Sequence, residues 1–130
     1  MEFQYGFEKL NVWQNARRFV FKIYKLTEKF PQSEKYCLCD QLRRSVVSVP
    51  SNLAEGSSRL TGKDRAHFTT LSYSSLMEVL NHLYLSLDLN YLTAEELQEC
   101  KSDINEISNQ LNSLRKSQLG WCLSICWGVN

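Results

Sequence analysis

The apolar residues of this chain recur at intervals of three and four, which is the spacing of one face of an α-helix. The first predicted helix carries Val12, Ala16, Phe19, Val20, Ile23, Leu26 and Phe30. Pro31 ends it, because proline lacks the N–H that a helix interior needs. A second helix carries Leu38, Leu42, Val46, Val49 and Leu53 and ends between Gly56 and Leu60. The first half of the chain is therefore predicted to form two amphipathic helices.

Two helix starts are marked in the second half by capping sequences. Thr61 with Asp64 is a variant of the capping box, and Thr93 with Glu96 is a second box. The third predicted helix carries Phe68, Leu71, Leu76, Val79, Leu80, Leu83 and Leu87. The fourth carries Leu97, Cys100, Ile104, Ile107, Leu111 and Leu114, the pattern of a helix seam.

The links between these helices, at residues 31–37, 58–62 and 90–93, are short. Short links make sequential helices antiparallel neighbours. The fold class predicted is all-α, an antiparallel up-down-up-down four-helix bundle over residues 1–118. An apolar tail, residues 119–130, follows it and has no assigned role.

Pro50 lies inside the second helix. It removes the hydrogen bond to the carbonyl of Val46, and its ring presses on that carbonyl. We therefore expect helix 2 to be kinked at Pro50, as a static bend rather than a functional hinge.

Polar residues form a second row on each of the two central helices. Helix 2 carries Gln41, Arg44, Ser48, Asn52 and Glu55, and helix 3 carries His67, Ser75, Glu78 and His82. If the two helices fold back near residue 61, facing residue numbers sum to about 122. This register pairs Glu55 with His67, Ser48 with Ser75, Arg44 with Glu78, and Gln41 with His82, and leaves Asn52 to bond a backbone group or Ser72. We predict a buried polar network; the alternative is a solvated polar edge.

Composition favours a cytoplasmic helical domain, with 43% hydrophobic residues, 22% charged, five glycines and two prolines. No segment reaches the roughly 20 apolar residues that span a bilayer. Five cysteines without a paired C-x-x-C motif argue against disulfides and a zinc site. Glu78 and His82 are spaced to bind a metal, but no second such pair exists, so we expect neither metal nor cofactor.

Charge is unevenly distributed along the chain. Residues 1–65 hold twelve Lys and Arg against seven Asp and Glu, a balance of +5, and residues 66–130 hold three against seven, a balance of −4. The predicted nucleic-acid-binding residues are Arg17, Arg18, Lys22, Lys25 and Lys29 on helix 1 and Arg59, Lys63 and Arg65 near the second link. Cation clusters of this kind bind phosphate backbones.

Two other interpretations of the basic row stay open. The row is a solvated face in one, and in the other it is neutralised by the acidic row of helix 4, Glu96, Glu99, Asp103 and Glu106.

Several strings carry a resemblance to a known family. They are F30-P, E34-K-Y, Q41-L-R-R-S-V-V-S-V-P-S-N-L-A-E-G-56 and L71-S-Y-S-S-L-M-E-78. The chain resembles, from about Phe7 to Arg115, the small bacterial proteins encoded in intervening sequences of large-subunit ribosomal RNA genes. The same family includes the accessory variability determinant of diversity-generating retroelements. In helix 3 the chain departs from the family's usual I-A-x-G-S string by having L71-S-Y-S-S-75.

The resemblance implies a four-helix bundle that forms a homopentamer. For the retroelement members it also implies binding to RNA or DNA and to a reverse transcriptase. No catalytic arrangement of Ser, Cys, His and carboxylate residues is apparent, so we expect no enzyme. The alternative function is an oligomeric scaffold without nucleic-acid binding, in which Trp13, Tyr24, Tyr73 and Tyr84 form a subunit interface or a second core stripe.

Overall fold

Four α-helices make up most of the computed structural model, which describes residues 2–120. They are α1 (Asn11–Thr27), α2 (Leu38–Gly56), α3 (Gly62–Asp88) and α4 (Ala94–Gln118). Short 3-10 turns lie at Gly6–Lys9 and Gln32–Glu34, and no strand is assigned in this range. The all-α four-helix class is confirmed. Most of the predicted tail lies outside the described residues.

The capping sequences mark the starts of α3 and α4 as predicted. The Thr61 hydroxyl accepts a hydrogen bond from the Asp64 amide at 3.1 Å. At α4 the Glu96 amide donates to the Thr93 hydroxyl at 3.2 Å, and the Thr93 amide donates to the Glu96 carboxylate at 2.8 Å. These bonds satisfy amides that have no partner within the helix.

Each helix packs against its neighbours in the chain, and α1 also packs against α4. Contacts pair residues in reversed order, as antiparallel helices do: Lys22 meets Asp103, and Lys29 meets Glu96. Between α2 and α3, Ser72 donates to the carbonyl of Val49 at 2.8 Å. These contacts are those expected for the up-down-up-down order, which stays a prediction.

The core contains the predicted apolar faces of all four helices, including Ile23, Leu42, Leu76 and Ile107, each at most 1% exposed. Leu71 is an exception, because it is 37% exposed. The four aromatic residues outside the main stripe divide into two groups. Trp13 and Tyr73 pack against the core, whereas Tyr24 and Tyr84 are 39% and 40% exposed.

Pro50 is half-buried, and α2 is assigned as helix on both sides of it. Ser72, which is fully buried, binds the carbonyl of the residue that precedes this proline. The bend at Pro50 stays a prediction.

The predicted polar network between α2 and α3 is wrong in its pairs. Gln41, Arg44, Glu55, His67 and Glu78 are exposed. Instead of crossing to α3, Arg44 binds Asp40 at 2.9 Å and Glu55 binds Arg59 at 3.4 Å, both within about one turn.

Among the less exposed members of the two rows, Asn52 and His82 also bond within their own helices. Ser48 and Ser75 are half-buried, and so is Asn52, which donates to the carbonyl of Ser48 at 2.9 Å. His82 is buried, with its Nε2 atom 3.4 Å from Glu78 Oε1. The exposure of most of the row matches the alternative of a solvated polar edge.

Small hydroxyl residues occupy the buried polar positions instead. The buried set is Thr27, Ser45, Thr69, Ser72, His82 and Ser86. Ser45 donates to Leu42 O and Ser86 to His82 O. A short hydroxyl can satisfy itself on its own helix backbone, whereas a buried charge needs a matched partner. For this reason the buried polar positions between the helices hold mainly hydroxyl side chains, and the predicted charged pairs between α2 and α3 do not form.

No described helix has both the length and the apolar character that crossing a membrane requires.

Candidate nucleic-acid interface

Two of the cations predicted on helix 1 are bound to carboxylates of α4: Lys22 on α1, and Lys29 just beyond its end. Lys22 Nζ lies 2.7 Å from Asp103 Oδ2 and 3.9 Å from Glu99 Oε2. Lys29 Nζ forms an ion pair with Glu96 Oε1. The hydrogen bond to Asp103 raises the pKa of Lys22, and the hydrogen bond from Lys29 lowers the pKa of Glu96.

These ion pairs weigh against a phosphate-binding role for Lys22 and Lys29, which stays a prediction. A cation bound to a carboxylate must lose that partner before it can bind a phosphate, so its contribution to phosphate binding is reduced. The alternative in which the acidic row neutralises the basic row therefore describes these two lysines. Sequence periodicity could not decide this, because it does not show which faces of α1 and α4 meet.

The other three predicted cations on α1 do not contact α4 carboxylates. Arg17, Arg18 and Lys25 are exposed. Arg18 donates to Asn15 Oδ1 at 2.7 Å, and Lys25 lies 3.7 Å from Glu28 in an exposed pair. An exposed ion pair of this kind contributes little free energy, so it is easily broken. These three side chains therefore remain available to an anion.

The cations near the second link lie at the end of the bundle where α3 begins. Arg59 contacts Glu55 at 3.4 Å and lies 4.6 Å from the Phe68 ring centroid. Lys63 and Arg65 are exposed, and within residues 2–120 neither side chain makes a hydrogen bond or an ion pair. These residues form a second basic region, at this end of the bundle.

Aromatic rings lie beside the exposed cations of α1. Arg17 is 5.5 Å from the Trp13 centroid, and Lys25 is 5.6 Å from that of Phe21. Trp13, Arg17, Arg18 and Phe21 line an open cavity of about 650 Å³. This surface combines positive charge with exposed aromatic area.

The link before α2 and the first turns of α2 carry the same combination beside Tyr24 of α1. Lys35 is 5.5 Å from the Tyr36 centroid, and Arg43 is 4.5 Å from that of Tyr24. Arg43 is positioned by donating to Thr27 Oγ1 at 2.9 Å and to the carbonyl of Tyr24 at 3.3 Å. We name the combined surface the α1–α2 face: Arg17, Arg18, Phe21, Tyr24, Lys25, Lys35, Tyr36, Arg43 and Arg44.

The α2 contribution was missed from the sequence. Arg44 was assigned to the polar network, and Lys35 and Arg43 were assigned no role. The adjacent arginines Arg43 and Arg44 were a usable signal, but their proximity to Tyr24 depends on how α2 packs against α1.

The segment that contains this face has an excess of positive charge. From Arg17 to Arg44 the chain has eight Lys and Arg against three Asp and Glu. Subtracting Lys22 and Lys29, which pair with α4, leaves six cations against three carboxylates. The remaining excess attracts polyanions.

The buried cysteine with a shifted pKa is not an activated nucleophile. Burial raises the pKa of Cys100 to about 11, so its thiol stays protonated at neutral pH. Cys37, Cys39 and Cys100 are free thiols. Within the described range, His, Cys, Asp and Glu side chains form no group of three or more that could hold a metal ion.

Known proteins resemble this chain in fold and in sequence pattern. A crystal structure from Bacteroides thetaiotaomicron, of a protein of unknown function from the S23 ribosomal protein family, superposes with a TM-score of 0.72. It is 22% identical, and the match covers 81% of this chain and 98% of that one. No curated protein matches. The model of the 23S rRNA-intervening sequence protein family matches residues 8–113. The chain therefore belongs to the 23S rRNA-intervening sequence protein family.

Proposed function

We propose that this protein is a non-enzymatic, homo-oligomeric four-helix bundle that binds nucleic acid through the α1–α2 face. The observation that carries the proposal is the set of cations left without α4 partners: Arg17, Arg18 and Lys25 on α1, with Lys35, Arg43 and Arg44 beside them. Phosphate groups are bound mainly by such clusters, with an affinity that falls as salt rises. The family's description, which refers to 23S rRNA intervening sequences, is in keeping with an RNA or DNA partner.

Reversing two charges on this face tests the proposal. We expect R17E/K25E to abolish the gel shift of a structured RNA or a DNA at about 50 mM salt, because two phosphate contacts become repulsive. The wild-type affinity should fall steeply as salt rises. The logarithm of the association constant should decrease linearly with the logarithm of the salt concentration, with a slope of about −0.7 to −0.9 for each phosphate contact.

K101E/K116E is the matched control, because it makes the same change in charge outside the face. Lys101 lies on the α3–α4 side, where it donates to Tyr84 Oη, and Lys116 lies in the last turn of α4. If both variants bind alike, or if the wild type gives no shift at micromolar concentration, the proposal is wrong. Thermal melts of both variants check that they fold.

A pentamer, which the family resemblance implies, is the proposed assembly. Its interface is proposed along α3, where Leu71, Leu85 and Leu89 are 37%, 44% and 52% exposed. They are separated by nearly whole numbers of helical turns, so they share one side of the helix. Exposed apolar area of this kind favours a contact with another subunit.

An oligomeric scaffold without nucleic-acid binding is the second candidate. The ion pairs of Lys22 and Lys29 with α4 favour it, because they reduce the free charge of the predicted basic row. A reverse transcriptase, implied by resemblance to the retroelement members, would be the protein partner to test. Where a neighbouring gene encodes a reverse transcriptase, its co-purification with this protein would support a shared complex. Loss of that complex in R17E/K25E would place its contact on the α1–α2 face.

A further inference from the structure

We infer that the α1–α2 face takes single-stranded nucleic acid, with bases stacked on Phe21 and Tyr36, in preference to a duplex. This inference rests on the proposed function and specifies that the nucleic acid bound is single-stranded. Phe21 is 66% exposed and Tyr36 is 81% exposed. Unpaired bases are the nucleic-acid groups that can stack on exposed rings.

Each of the two rings lies beside a cation. Lys25 Nζ is 5.6 Å from the Phe21 centroid, and Lys35 Nζ is 5.5 Å from the Tyr36 centroid. A base stacked on either ring would place its own phosphate within reach of a long, exposed lysine side chain. Paired rings and cations are the elements that bind single strands without sequence preference.

Tyr24 connects the two rings. It is one helical turn from Phe21 on α1, and with Lys35 and Tyr36 it lines an open cavity of about 400 Å³. Arg43 lies 4.5 Å from the Tyr24 centroid, and Tyr24 itself is 39% exposed. The three rings therefore follow a path from α1 to the start of α2.

A duplex fits these observations less well. Its bases are stacked on one another and cannot cover Phe21 or Tyr36, so only the cations would contribute to binding. A second copy of the chain also fits poorly, because the segment's six cations without α4 partners would be desolvated, and interface cores are depleted in charge. The charge excess and the open rings together favour a flexible polyanion.

The test compares F21A/Y36A with wild type on a single strand of about 20 nucleotides and on the duplex of the same sequence. We expect wild type to bind the single strand more tightly. We expect F21A/Y36A to lose about tenfold or more in single-strand affinity, since stacking on each ring is worth about that much. Its duplex affinity and its salt dependence should stay unchanged.

Two further variants control for fold and position. F21Y/Y36F keeps both rings and should bind like wild type. Y84A removes an aromatic ring that is 40% exposed and has a lysine 5.5 Å away, but on the α3–α4 side. It should also bind like wild type.

Three results would overturn the inference while leaving nucleic-acid binding intact: tighter binding of the duplex, unchanged single-strand affinity in F21A/Y36A, or an equal loss in Y84A. A lower oligomeric mass for F21A/Y36A would overturn it in favour of a subunit interface at this face. Failure of wild type to bind either strand form would instead remove the proposed function itself.

Discussion

Gly56, the last residue of α2, lies where that helix closely approaches α3. It is buried, and a Cβ atom added there would lie 2.7 Å from the Cβ of Phe68. Real Cβ atoms do not approach that closely, so one of the two backbones would have to move. A single missing methyl group therefore sets how near α2 and α3 come at this end of the bundle.

We expect G56A to lower the free energy of unfolding by about 1 to 3 kcal/mol, the usual cost of overpacking a core. This loss should appear although alanine is the better helix former by about 1 kcal/mol. Urea denaturation followed by circular dichroism measures it. G6A is the control, since its added Cβ has no neighbour within 4 Å; equal stability of the two variants would contradict the close approach.

The element that best shows several contacts acting together is the start of α4. Glu96 accepts a hydrogen bond from the Thr93 amide and pairs with Lys29, just beyond the end of α1. The same carboxylate thus caps its own helix and connects that helix to α1. Both contacts need the ionised form, which is why the pKa of Glu96 is lowered from 4.5.

Stability should depend on pH through this carboxylate. Because folding lowers its pKa, Glu96 stabilises the folded state above its unfolded pKa of 4.5, and the contribution is lost as pH falls through the lower folded-state value. We expect E96Q to cost about 1 kcal/mol at pH 7 and to differ less from wild type in acid. Urea titrations at both pH values measure this. The control is E95Q, in the same first turn; an equal effect of E95Q would contradict the role of Glu96.

Charge across the whole molecule is arranged by the packing of α4 against α1. The chain carries 15 Lys and Arg against 14 Asp and Glu, so its net charge says little about partners. In the fold, carboxylates of α4 form ion pairs with Lys22 and Lys29. The cations on the outer side of α1 and at the start of α2 form no such pairs with α4. The exposed leucines of the proposed subunit interface lie on α3 and at its C-terminal end. The proposed nucleic-acid and subunit surfaces are thus on different helices.

Light scattering tests the assembly. We expect about five times the 15.2 kDa monomer mass, and we expect L85E to lower it, because a carboxylate in an apolar interface is left unpaired. The control is L60E, since Leu60 is 92% exposed and lies in the link before α3. A monomeric wild type would contradict the pentamer, and an unchanged mass for L85E would contradict the α3 interface.

The local pattern of residues determined the four helices, the starts of α3 and α4, and most of the core. Ile23, Leu42, Leu76 and Ile107 were all placed on buried faces from their spacing alone. The register of α2 against α3 was also near the prediction, since Val49 and Ser72 have numbers that sum to 121. Periodicity and capping are properties of single helices, so a sequence can show them directly.

Only the tertiary structure decided which side chains meet between helices. In the fold, Lys22 and Lys29 form ion pairs with carboxylates of α4. Arg44 and Glu78 are exposed, and Arg43 lies against the Tyr24 ring. These outcomes depend on how each helix is rotated about its axis, and a small rotation exchanges a buried position for an exposed one. That rotation is set by the packing of all four helices at once, so the spacing of residues along any single helix does not contain it.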